Sequence, residues 1–288
     1  MSLDISKALS DGAGRTFERN GLLLAVAFVV FGLLDAVAGQ TLSSATARLL
    51  SGNLDQLPPG AASNPTALAT AEQTPLALPV PLPVALGLVV VLAFVAEALR
   101  IVAVRTLVSD ETDTIREEFV SHNLLVATLN GFVGGVVVLI LVVVGLIFLI
   151  VPGLFLALSF FFVRQEIAVE DKNFVDALSA SWELTSGNRL ALFGLALIVF
   201  VIGLAVSLLG SAVGLAGIPI LTTVVNVLLG AVVVVFGVSV TSRAYVQLTE
   251  ARADDAEFGD TDFDDGQSDT DLSTDDGDDG ESEWKYNP

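Results

Sequence analysis

Five or six long apolar stretches run through this chain, and its arginines and lysines gather on one side of them. Gly21–Gly39, Val84–Ala96, Gly131–Val151 and Leu190–Leu209 are examples, the last almost free of polar groups. An unpaired backbone amide in hydrocarbon costs several kcal/mol, so each run must become a helix that satisfies its own N–H and C=O groups. The fold class is therefore all-α: an integral membrane bundle of about six transmembrane helices. Spans are predicted near 21–39, 84–107, 127–149, 153–169, 190–212 and 219–242. The stretch 127–163 is too long for one crossing of ~20 residues, and Pro152-Gly153 breaks it where a tight turn is needed. Gly217-Ile218-Pro219 does the same between the last two spans.

Basic residues orient these spans. With the N-terminus inside, twelve of the thirteen lie on the inner side or at its boundary, and only Arg48 falls outside. The positive-inside rule then places both termini in the cytoplasm of a cell-membrane protein. The leader 1–20, with Asp4, Asp11 and Glu18, reads as an amphipathic cytoplasmic helix before a retained first span. Cleavage after Ala36-Val37-Ala38 is the alternative.

A proline-rich external loop, 40–83, holds seven of the ten prolines. It should be extended or irregular, with a short helix near Ser43–Leu50. The chain is 53% hydrophobic yet carries a net charge of −20. Cutting at Glu250 reconciles the two, because 250–288 holds 16 acids against Arg252 and Lys285. That segment is expected to be a disordered acidic tail, and the three lysines against ten arginines add to a halophile-like composition.

The domains are thus 1–20, the membrane region 21–249 and the tail 250–288. Ala8-Leu9-Ser10 before Asn20 resembles Ala177-Leu178-Ser179 before Asn188. Each is an amphipathic stretch, then Asn, then a span. Ile5, Leu9, Ala13 and Phe17 form one apolar face; Phe174, Leu178 and Trp182 form the other. A third copy is expected at Thr114–Asn123, where Thr114-x-x-Glu117 fits a capping box. Arg100, Arg164 and Arg243 lie toward the inner ends of the second helix of each following hairpin.

Charges inside spans are the candidates for function. Glu97 and Arg100 share a helix face, and Arg164 and Glu166 sit at similar depth in the fourth span. Together they could form a polar cluster for an anionic headgroup or a coupled ion. A plainer reading has the arginines snorkel and the acids pair with them. Asp35 and Asn226 complete the intramembrane polar set. Gly131-x-x-x-Gly135 and Gly210-x-x-x-Gly214 offer close helix contacts. With no cysteine and only His122, thiol chemistry and multi-histidine metal centres are excluded. No cofactor motif or catalytic constellation appears.

Ile150-Val151-Pro152-Gly153, Ile167-Ala168-Val169-Glu170-Asp171 and Ala177-Leu178-x-x-Ser181-Trp182-x-Leu184-Thr185-x-Gly187-Asn188 together resemble the membrane-domain family associated with glycerophosphoryl diester phosphodiesterases. They look most like its multi-pass haloarchaeal members. The resemblance implies a six-helix membrane domain over 1–249 and no activity, since the hydrolytic members use a separate histidine-bearing domain. The expected function is non-enzymatic: interaction with lipids, or scaffolding of a protein partner at the inner face, with no nucleic acid involved. The alternative is a transporter or permease for a small or lipid-like solute that uses the Glu97, Arg100, Arg164, Glu166 cluster.

Overall fold

A computed structural model describes residues 3–51, 74–215 and 217–261. Every regular element among them is a helix. These are α1 (Ile5–Phe17), α2 (Arg19–Ser51), α3 (Leu82–Val108), α4 (Glu117–Ser121), α5 (Leu124–Phe148), α6 (Ile150–Ser159), α7 (Val163–Val169), α8 (Phe174–Thr185), α9 (Arg189–Gly214) and α10 (Pro219–Thr261). Taking α6 and α7 as one broken rod, six helices are long and apolar enough to cross a membrane. The protein is a multi-pass helical membrane protein. Leu139, Ile147, Phe148, Ile150, Val151 and Leu209 stay exposed, the belt that lipid covers.

Two boundaries differ from the sequence reading. α2 runs on unbroken to Ser51, absorbing the helix expected separately at Ser43–Leu50. α10 continues past Glu250 to Thr261, because Glu250, Ala251, Arg252 and Ala253 favour helix and no proline intervenes. Residues 52–73 of the proline-rich loop and 262–288 of the acidic tail lie outside the described residues.

The turn between the third and fourth spans is made by Leu149 in extended conformation, not by Pro152-Gly153. Pro152 sits in the first turn of α6, where its missing N–H costs nothing. Gly153 lets the hairpin close. A Cβ on it would lie 2.6 Å from Leu146 N, and one on Gly145 would lie 2.8 Å from Gly153 Cα. Gly217, at φ +70°, and Pro219 at the start of α10 make the later turn as expected.

Three hairpins result, α2/α3, α5/α6–α7 and α9/α10, each preceded by a short helix. Asp4 N donates to Gln247 Oε1 at 3.2 Å, and a Cβ on Gly12 would lie 2.6 Å from a Val240 methyl, so α1 runs antiparallel to α10. Asn20 Nδ2 donates to Glu111 O at 2.8 Å and Leu3 N to Asn188 Oδ1 at 3.1 Å. The segments around 3–20, 109–123, 165–189 and 240–248 therefore share one end of the bundle, termed basal below.

The amphipathic helices bury a different stripe from the one their large apolar residues mark. α1 buries Ala8, Gly12, Arg15 and Thr16, whereas Phe17 is 68% exposed. α8 buries Ala177, Ser181, Leu184 and Thr185 and leaves Trp182 40% exposed. Small residues win these contacts because close backbone approach, not hydrophobic transfer, holds helices together next to lipid. The stripes 8-12-16 and 177-181-185 match position for position, so the first and third copies of the repeat agree in structure. The second copy is shorter. α4 has five residues with Arg116 at its N-cap, and the Thr114 capping box does not form.

Candidate intramembrane charge cluster

Glu97 stands on the face of α3 that meets α5 and α7, and is only 4% exposed. Gly131 of α5 makes room for it, since a Cβ there would lie 2.7 Å from Glu97 Oε1. Arg164 of α7 grips the carboxylate with both prongs, Nε to Oε1 at 2.8 Å and Nη2 to Oε2 at 3.1 Å. Such forked pairs are the strongest ion pairs a protein builds. Arg100, one turn along α3, approaches Oε2 at 3.6 Å, within ion-pair range but short of a hydrogen bond.

Glu166 is not part of this cluster. It is buried, but two residues from Arg164 on one helix it points to another side. There it accepts a 2.5 Å bond from Lys172 Nζ.

Two cavities flank the trio. One of about 480 Å³ lies between α2, α3 and α10 and is lined by Asp35, Arg100, Thr223 and Asn226 among apolar residues. The other, of about 370 Å³, lies between α7, α9 and α10 and contains Arg164 and Thr241. Val234 lines both. Asn226 also faces Gly210, which must lack a side chain because a Cβ would collide with Asn226 Oδ1.

The remaining motif residues hold the backbone together. The rod α6–α7 breaks at Phe160–Phe162, freeing amide groups that lipid cannot satisfy. Ser181 Oγ accepts from Phe162 N at 3.1 Å and donates to Ser159 O at 3.0 Å, and Thr185 Oγ1 also donates to Ser159 O. Trp182 packs against Phe155 and Phe160, while the Arg189 guanidinium lies over its ring at 4.8 Å. Gly187 turns the chain at φ +82°, Asn188 anchors the Leu3 amide, and Glu170 closes α7 in solvent.

The sequence reading missed the node around Arg105. This arginine is 8% exposed and donates to Ala168 O at 2.7 Å, His122 O at 2.6 Å, Phe119 O at 3.4 Å and Asp171 Oδ1 at 2.9 Å. Asp171 also meets His122 Nε2 at 3.1 Å. Among the described residues, Asp171 and Asn123 are the non-glycine residues at positive φ. That Asx pair, Asn123 directly before α5 and Asp171 directly after the C-cap of α7, was the available signal. The node walls a basal cavity of about 500 Å³ with Glu118, Phe119 and Ser109. Nearby, Arg243 and Arg15 donate to the last carbonyls of α3, Arg243 to Leu107 O at 2.6 Å and both to Ser109 O. Cations suit a helix C-terminus, where carbonyls lack partners. No group of three or more metal-ligating side chains occurs among the described residues.

No curated protein and no solved structure matches the chain. A family model described as Domain of unknown function (DUF7847) matches residues 3–248, and with all six membrane helices rooted in that match the chain belongs to the DUF7847 family.

Proposed function

We propose that this is a non-enzymatic protein of the cell membrane that interacts with lipids at its basal face, which the distribution of basic residues assigns to the cytoplasm. One observation carries the reading. α1 and α8 dock by small residues and leave Phe17, Val175 and Trp182 uncovered, 68%, 57% and 40% exposed, at the end where the basic residues gather. Apolar rows bordered by arginine fit the headgroup boundary of a bilayer. Scaffolding of a protein partner on the same face is compatible with it. The likeness to the phosphodiesterase-associated membrane domain supports a role beside lipids and brings no catalytic residues.

The test uses the chain's own tryptophans, Trp182 and Trp284. In a Trp284→Phe background, lipids brominated near the glycerol end of their chains should quench Trp182. Fluorescence equal to that in unbrominated vesicles would overturn the placement.

A second reading, a permease, is favoured by Glu97 lying between two arginines that line separate cavities. On that reading Glu97→Gln, which keeps the side-chain shape, abolishes solute flux into proteoliposomes while elution of the protein stays unchanged. Undiminished flux removes the pathway.

A further inference from the structure

We propose that the cavity between α2, α3 and α10 binds a dipolar headgroup: a phosphodiester bearing an ammonium, with Arg100 as the anion contact and Asp35 as the cation contact. This rests on the lipid-interaction reading and names the ligand class for it.

Asp35 carries the first part of the argument. It lies within the candidate span Arg19–Leu49 and lines the cavity, yet makes no hydrogen bond or ion pair among the described residues. A carboxylate inside a span is costly, and those that persist pair with another group or mark a ligand path. Among the described residues the buried acids are matched, Glu97 by Arg164 and Arg100 and Glu166 by Lys172, whereas Asp35 is exposed where it lines the cavity.

Arg100 carries the second. Arg164 already occupies both oxygens of Glu97, so Arg100 is held at 3.6 Å with its donors open and its side chain 44% exposed. Glu97, Arg100 and Arg164 together carry a net +1, and Asp35 balances it. A purely anionic headgroup would meet the Asp35 carboxylate unfavourably, and a simple cation would meet Arg100. A zwitterion satisfies both, and the mismatch against singly charged ligands supplies selectivity.

Geometry agrees with charge. A Cβ on Gly32 would meet Val227 at 2.9 Å, and Gln40 Nε2 donates to Thr223 Oγ1 at 3.5 Å, which brackets Asp35 at the Thr223–Val227 stretch of α10. The cavity extends along α10 from there to Val234, eleven residues or about 16 Å. Its volume, about 480 Å³, lies in the range of ligand sites. Asn226 and Thr223 offer neutral hydrogen-bonding groups, and Phe28, Phe31 and Ala231 offer an apolar wall for an acyl chain.

The test is native mass spectrometry on the full chain, supplied with equimolar phosphatidylethanolamine and phosphatidylglycerol of identical chains. One ethanolamine lipid should be retained, preferred by about tenfold or more, a difference of about 1.4 kcal/mol. Asp35→Asn should erase the preference, and Arg100→Gln should release both lipids, with helicity and elution unchanged in each. Equal retention of the two lipids by the unsubstituted protein, or a preference that survives Asp35→Asn, overturns the proposal. Soluble glycerophosphoethanolamine separates the two sources of the same headgroup. Displacement of the lipid by it at equal concentration shows that the site reads the headgroup alone; failure to displace shows that the acyl chain is required, and both outcomes uphold the contacts. The two proposals fail separately. Phosphatidylglycerol bound without regard to Asp35 removes this site and leaves lipid interaction standing. An unquenched Trp182 alongside Asp35-dependent ethanolamine binding does the reverse.

Discussion

Glu97→Ala should destabilise the folded bundle by about 3 kcal/mol, seen as a lowered unfolding midpoint in detergent. The reason is asymmetric. Glu97 is 4% exposed, and removing it strands Arg164 and Arg100, neither of which pairs with a second carboxylate among the described residues. Arg164→Ala should cost a similar amount, because it leaves a buried carboxylate with only the long Arg100 contact at 3.6 Å. The paired replacement Glu97→Leu with Arg164→Leu should recover most of the loss, since two apolar side chains need no mutual charge. A double variant no better than the worse single would show that the pair does more than neutralise itself. Single losses under about 0.5 kcal/mol would mean that water or lipid headgroups already reach the pair.

Arg105→Met should be at least as damaging, by about 3–5 kcal/mol. Arg105 ties α3 to the end of α7, to the α4–α5 connection and to Asp171, so its loss leaves the buried carbonyl of Ala168 without that donor. Arg105→Lys should rescue little. An ammonium is a point donor and cannot address Ala168, His122 and Asp171 from a plane as the guanidinium does. The local readout is amide exchange across Glu117–Asn123, which should speed up by about tenfold or more in both variants. Slow exchange in Arg105→Met would show that α4 is held by Ile115 and its apolar neighbours instead.

How much of the site was legible depends on distance along the chain. Glu97 and Arg100 are three apart on one helix, so their shared face follows from helical geometry alone. The same rule separates Arg164 from Glu166, two residues apart, and grouping those two overlooked it. The pairing of Glu97 with Arg164 bridges 67 residues and depended on α3 and α7 being neighbours. Arg105 was read as a basic residue near the inner boundary, a reading that concealed its partners. Its acceptors are mostly backbone carbonyls, which every residue possesses and no sequence pattern distinguishes.

By itself the sequence determined the class and the number of membrane helices. Hydropathy is local, and hydrocarbon permits a single spanning chain of this kind only one backbone form, so apolar length translates directly into helices. Tertiary structure alone decided which face of each helix is inside. The spans are apolar nearly all round, so composition does not mark an inner face, and the choice falls to small residues such as Gly12, Gly131, Gly145 and Gly210 that let another helix approach. Rotation and crossing of the helices then brought Glu97 to Arg164, sent Glu166 to Lys172, and left Asp35 and Arg100 facing one cavity.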